Sequence, residues 1–129
     1  MTPEKDKELC DRYPKIFNRV TGTEHSDGWF DIIDCLCSTI QQHVNWKRKT
    51  GLNARMSDEE FDEIHQVRVA QVKEKWGGLR FYVDGADDYV RGAIDLAESM
   101  SFRTCEVCGN KGQRRSGGWI RTLCDGCVK

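Results

Sequence analysis

Two pairs of cysteines close to the C-terminus constrain this chain more than any other feature. Cys105-Glu106-Val107-Cys108 and Cys124-Asp125-Gly126-Cys127 are C-x-x-C pairs separated by fifteen residues. Two cysteines three apart in a tight turn aim both sulfurs at one ion, and four thiolates complete the tetrahedral sphere that zinc accepts. The pattern predicts one zinc ion held by Cys105, Cys108, Cys124 and Cys127 in a ribbon-type fold. With all four positions taken by protein, the ion is expected to be structural rather than catalytic. The chain has 7 cysteines, an odd number that a disulfide framework would not use, and this points to a reducing compartment. Cys10, Cys35 and Cys37 are left as unlinked thiols. Gly109 lets the backbone turn back after the first pair. Gln113–Ser116 and Trp119–Leu123 are expected as two short strands joined near Gly117-Gly118.

The rest of the chain reads as an α+β domain: helices packed on a small antiparallel hairpin, with the zinc ribbon at the C-terminus. Its 129 residues suit one core, expected over 1–100, with 101–129 as the ribbon segment docked on the same domain. Pro3–Arg12 fits a short helix closed by Tyr13-Pro14. From Asp27 to about Lys49, Trp29, Ile32, Ile33, Leu36, Cys37, Ile40 and Val44 recur at helical steps, with Asp27 placed as the cap. The acidic run Asp58–Glu63 forms a short helix capped by Ser57. Asp87–Met100 carries Val90, Ala93, Ile94 and Ala97 on one stripe and covers the sheet.

Between these helices lies a hairpin, Val67–Trp76 and Leu79–Val83, with Gly77-Gly78 as a two-residue turn. That register sets Trp76 opposite Leu79 and Lys75 opposite Arg80. The core face is then Val72, Trp76, Leu79, Phe81 and Val83, and a bulge near Ala70 or Gln71 reconciles Val67 and Val69 with it. The outer face is Lys73, Lys75, Arg80 and Tyr82. Like charges directly across a hairpin are unfavourable without an anion over them, so this face is a candidate contact surface. The alternative is that Asp84, Asp87 and Asp88 neutralise it within the fold.

Charge and composition narrow the function classes. The net charge is -1, so affinity for nucleic acid or an anionic membrane would have to come from a local patch. Residues 66–83 sum to +3, and residues 101–129 to +4, which four thiolates and one zinc ion cut to about +2. In the ribbon the positive charge sits at Lys111, Arg114 and Arg115. No apolar run is long enough to span a membrane, and the first residues lack a signal core, so neither membrane insertion nor secretion is expected. His25, His43 and His65 all lie upstream of the cysteine pairs, which excludes a histidine-bearing nuclease hairpin within the ribbon. Cys37 falls on the apolar stripe as a core residue, Cys35 points elsewhere, and Ser26 and Asp27 beside His25 are helix-start residues, so no nucleophile and base are brought together. The chain is expected not to be an enzyme.

The string Gln71-Val72-Lys73-Glu74-Lys75-Trp76-Gly77-Gly78-Leu79-Arg80-Phe81-Tyr82 is followed by Thr104-Cys105-Glu106-Val107-Cys108-Gly109, Gly118-Trp119 and Thr122-Leu123-Cys124. Together with Arg12-Tyr13-Pro14 and Gly28-Trp29-Phe30, these residues resemble an uncharacterised family of small proteins encoded by bacteriophages and prophages. The resemblance implies a phage or prophage origin and a bacterial cytoplasm, and it carries over no catalytic residue. Two functions follow as expectations. One is a zinc-stabilised, non-enzymatic module that binds a host protein complex, such as a defence or transcription assembly, and blocks it. The other is a nucleic-acid-binding zinc ribbon that meets DNA or RNA through Lys73, Lys75, Arg80, Tyr82, Arg114, Arg115 and Trp119. The oligomeric state stays open.

Overall fold

The computed structural model describes residues 1–128. Its helices are α1 (Pro3–Arg12), α2 (Phe30–Arg48), α3 (Asp58–His65) and α4 (Asp88–Ser101). Its strands are β1 (Arg68–Lys75) and β2 (Gly78–Asp84), and β3 (Gln113–Arg115) and β4 (Arg121–Leu123) in the ribbon. Both strand pairs are antiparallel, and the α+β class read from the sequence is the one observed. No helix among the described residues is long and apolar enough to cross a membrane.

Helix α2 begins at Phe30, because Asp27–Trp29 form a tighter 3-10 turn. Asp27 does not cap α2; its carboxylate accepts the N–H of Thr2 at 2.8 Å and ties down the N-terminus. Phe30, Ile33, Leu36, Cys37, Ile40 and Val44 are buried along α2. They meet Val69, Val72, Leu79 and Phe81 of the sheet, Phe61 of α3 and Val90 of α4 in one cluster. The basic end of α2 is tethered: Arg48 reaches Asp62 at 2.5 Å and Lys47 reaches Asp87 at 3.3 Å.

The hairpin departs from the expected register by one residue. Its turn is Trp76-Gly77, with φ of 56° and 82°, so Lys75 pairs with Gly78, Glu74 with Leu79, Lys73 with Arg80 and Val72 with Phe81. The reason lies outside the hairpin. A Cβ on Gly78 would stand 2.3 Å from the ring of Phe102, so the strand position needs the glycine and the turn passes to Trp76. Trp76 therefore leaves the core face and is 61% exposed, while Lys73, not Lys75, lies opposite Arg80. The bulge falls at Ala70, as the parity of the valines requires.

A two-stranded sheet is marginal alone, and here both of its edges are covered. Along β1, the N–H of Val69 donates to the Ile16 carbonyl, and Glu24 exchanges backbone bonds with Val72 and Glu74, each at 2.9 Å. Along β2, the N–H groups of Leu79 and Phe81 donate to Ser101 Oγ and Glu98 Oε2 of α4, also at 2.9 Å. Helix α4 is fixed at its start by Asp87, whose carboxylate accepts the N–H of Val90 at 3.0 Å and contacts His43 at 2.7 Å. Burial works against the Asp87 carboxylate, but His43, the Val90 N–H and Lys47 outweigh it and hold its pKa down at about 2, against an ordinary 3.8. A depressed carboxylate stabilises the fold above its unfolded pKa and loses that contribution as pH falls through the folded one. Stability should therefore drop between about pH 4 and pH 2, and Asp87→Asn should flatten that part of the pH dependence of thermal melting.

Candidate metal centre and the adjoining tip

The four cysteine sulfurs lie within 4.8 Å of one another, close enough to hold one metal ion. Each pair is set by a backbone turn: Gly109, at φ 82°, donates its N–H to the Cys105 carbonyl at 2.9 Å, and Cys127 donates to the Cys124 carbonyl at 3.2 Å. Cys105 is fully buried and the other three are at least partly open to solvent. Burial opposes ionisation of Cys105, but the backbone N–H groups of Cys108, Cys124 and Val107 more than offset it and lower its pKa to about 6. Cys127 is pushed up to about 12 by Cys124 and Cys108 beside it. Four thiols so close cannot all ionise unaided, and a bound cation removes the conflict. Soft sulfur donors, four in number and tetrahedral in count, are the chemistry of a closed, structural site.

The first cysteine turn is seated on the N-terminal part of the chain. Gly28 donates its N–H to the Glu106 carbonyl at 2.7 Å, and Trp29 Nε1 donates to the Thr104 carbonyl at 2.9 Å. Glu106, only 4% exposed, accepts the N–H of Ser26 on one carboxylate oxygen at 3.0 Å and the Arg121 guanidinium on the other at 3.2 Å. One buried side chain thus joins the N-terminal segment, the metal turn and β4. Glu106→Ala leaves a half-buried N–H and a half-buried guanidinium without their partner, and should cost about 1–2 kcal/mol in denaturant unfolding with the fold retained.

The ribbon also clamps the tip of the hairpin. Arg114 donates to the Trp76 carbonyl at 2.8 Å and lies over the Phe102 ring, while the Thr122 hydroxyl donates to the Gly77 carbonyl at 2.6 Å. From the other side Gly77 donates its N–H to Glu74 at 2.7 Å. The bond to its own carbonyl and those on both sides of Gly77 fix the turn in which Trp76, at φ 56°, holds a left-handed conformation that a bulky residue adopts only at a cost of about 1–3 kcal/mol. Across a cleft of about 360 Å³ stands Trp119, 79% exposed on the Gly117-Gly118 loop of the ribbon.

The structure divides the residues expected to form a contact surface. Lys73, Lys75, Arg80 and Tyr82 do share the outer face of the hairpin, and Lys75 and Trp119 line the same cleft. Arg114 and Arg115 stand on the ribbon: Arg114, exposed, reaches the tip by its bond to the Trp76 carbonyl and lies over Phe102, while Arg115 is tied to the Leu123 carbonyl at 3.1 Å and to Asp125 at 2.8 Å. Nor do the neighbouring acids neutralise the hairpin face. Asp84 pairs with Arg19, Asp87 with His43 and Lys47, and Asp88 with Arg91. Trp76 is the site residue that sequence reasoning misplaced. The signal available was its position beside two glycines, either of which could have taken the turn.

The remaining chemistry-bearing residues lie apart. His25 is buried against Trp29, with Nδ1 2.7 Å from the Ser26 carbonyl, and burial lowers its pKa. Cys37 is in the core, where burial pushes its thiol far up, and Cys35 is exposed on α2. No family model, curated protein or solved structure matches this chain.

Proposed function

We propose that the chain is a small, non-enzymatic binding protein of phage or prophage origin, braced by one structural zinc ion, that engages a protein complex of the bacterial host and blocks it. Defence and transcription assemblies are the class of target, and the bacterial cytoplasm is the place of action. The observation that carries this reading is the tip. Two exposed tryptophans face one cleft, Tyr82 and Arg80 lie on the adjoining strand face, and the ribbon fixes the turn beneath them. Tryptophan, tyrosine and arginine dominate protein interfaces when they are held rigid, because little side-chain freedom is left to lose on binding. Zinc fits the four-sulfur donor set, and its role is to hold the ribbon that holds the tip.

The test is capture of host proteins on the immobilised full chain, identified by mass spectrometry, beside the Trp119→Ala variant. A specific host assembly retained by the native chain and lost with Trp119→Ala, at an unchanged melting temperature, supports the reading. Equal retention by both overturns it.

One observation favours a second reading. Lys73, Lys75 and Arg80 form a file of cations beside aromatic side chains, which is how single-stranded nucleic acid is gripped. Three phosphate contacts predict that log K for an oligonucleotide falls by about 2 per decade of salt, and no binding at low salt removes this reading.

A further inference from the structure

The outer face of the central hairpin has a hollow at each end and cations in between. At the tip is the cleft between Trp76 and Trp119, which Lys75 helps to line. At the other end, beside the bulge, Gln71 and Tyr82 of the same face join Val20 and Gly22 around a second hollow of about 470 Å³. Lys75 and Gln71 bound the two hollows and lie on one strand, four positions apart, which separates them by roughly 13 Å. Lys73 and Arg80 stand between, directly opposed across the sheet. Cations so placed repel one another unless an anion lies over them. Nearby carboxylates offset little of this charge. Glu74 is bonded to the Gly77 N–H, and Asp84, at the far end of β2, pairs with Arg19. Glu24, exposed and bridged to Lys73 at the β1 edge, offsets one cation of the three.

This pattern defines its ligand by complement. A segment in extended form sets residues i, i+2 and i+4 on one side, with i and i+4 about 13 Å apart. Large apolar side chains at i and i+4 then reach the two hollows, and acidic residues between them meet Lys73, Lys75 and Arg80. A nucleic-acid strand matches less well. It carries a charge at every phosphate and so cannot avoid Glu24, and a net charge of -1 gives the chain no long-range pull on a polyanion. Two copies paired symmetrically through this face would set its cations against their own images. We propose that the outer face of the hairpin binds an extended segment of a partner protein in which two large apolar residues, four positions apart, bracket acidic ones. The proposal rests on the tip being a protein-binding surface and adds what that surface recognises.

The experiment uses the full chain, labelled with ¹⁵N, and synthetic peptides of about ten residues, in which phenylalanine, a run of acidic residues and leucine stand between flexible glycine and serine ends. One control peptide replaces the acids with lysine, and another replaces phenylalanine and leucine with alanine. The acidic peptide should shift the amide signals of Gln71, Lys73, Lys75 and Tyr82 and the indole signals of Trp76 and Trp119. Both controls should bind about tenfold more weakly or worse. Lys75→Glu should weaken the acidic peptide by about tenfold, and Tyr82→Ala, at the second hollow, by about threefold or more. Lys75 and Tyr82 are both exposed, so either variant should keep the fold. Equal binding of the acidic and lysine peptides, indifference to Lys75→Glu, or shifts that leave Gln71 and Tyr82 unmoved overturns the proposal. So does an oligothymidylate of about ten nucleotides that binds more tightly than the acidic peptide at about 0.15 M salt, which would assign the face to nucleic acid. If no peptide binds while Trp119→Ala still releases a host assembly, the recognised chemistry is wrong and the tip reading stands; if capture is indifferent to Trp119→Ala, the tip reading fails by its own test.

Discussion

Chelation of the metal, or Cys108→Ser, is expected to unfold residues from about Thr104 onwards and to lower the melting temperature of the remainder by about 10 °C or more. Cys108 is the informative ligand because it is exposed, so serine there removes a sulfur donor without opening a hole in the core. The ribbon has little apolar core of its own to hold it. Its sheet is two strands of three residues, and Leu123 is a buried aliphatic side chain within it. In small four-sulfur domains metal binding supplies on the order of 10 kcal/mol, as much as the whole stability of an ordinary domain. The loss should spread along the contacts that cross from the ribbon. Once Arg114 and Thr122 are released, the Trp76 and Gly77 carbonyls lose their donors and the strained turn is free to relax. Far-ultraviolet circular dichroism and limited proteolysis of the metal-free chain check this, and unchanged traces in both would overturn a structural role for the metal.

Gly28→Ala should be nearly as damaging, at about 3–4 kcal/mol, although residue 28 is neither a ligand nor in the core. A Cβ there would lie 2.1 Å from the Cys105 carbonyl oxygen and 2.5 Å from the Glu106 carbonyl carbon and oxygen. These are backbone atoms of the metal turn, so no side chain can step aside. Relief requires the N-terminal segment and the turn to part, which breaks the Gly28 to Glu106 bond and strains those from Ser26 and Trp29. Gly92→Ala is the control. Nothing lies within 4 Å of its Cβ position, and alanine in the middle of α4 should stabilise by up to about 1 kcal/mol. Parallel denaturant titrations of the two variants check the pair, and similar midpoints would show that the contact at Gly28 is not tight.

What could be read in the sequence was whatever a short window dictates. The C-x-x-C pairs, the stripe of α2 and the valine parity that demands a bulge at Ala70 are all local, and the structure shows each of them. The turn was misread for a non-local reason. Three residues, Trp76-Gly77-Gly78, offer two possible turns of equal length, and groups far along the chain decide between them: the ring of Phe102 against Gly78, and Arg114 and Thr122 on the turn carbonyls. The same limit hid the fates of Arg114 and Arg115. Basic residues in the ribbon suggest a free patch; Arg115 folds back on the partner strand of its own short hairpin, whereas the carbonyl that Arg114 reaches belongs to the turn of the other hairpin, which no spacing rule brings near. Glu106 is a further case: nothing in the spacing of a cysteine pair marks it out, yet Ser26 and Arg121 make it a buried junction.

The covered edges of the central hairpin bear on how other molecules can recognise this protein. Donors on β2 are consumed by Ser101 and Glu98, and those on β1 by Ile16 and Glu24. An incoming peptide would have to evict those groups before it could extend the sheet, so strand addition, the commonest way to borrow affinity from the main chain, is closed at these positions. Recognition must then be written in side chains. That makes it sensitive to single substitutions, and it also shields the hairpin from the edge-to-edge stacking that turns small sheets into aggregates.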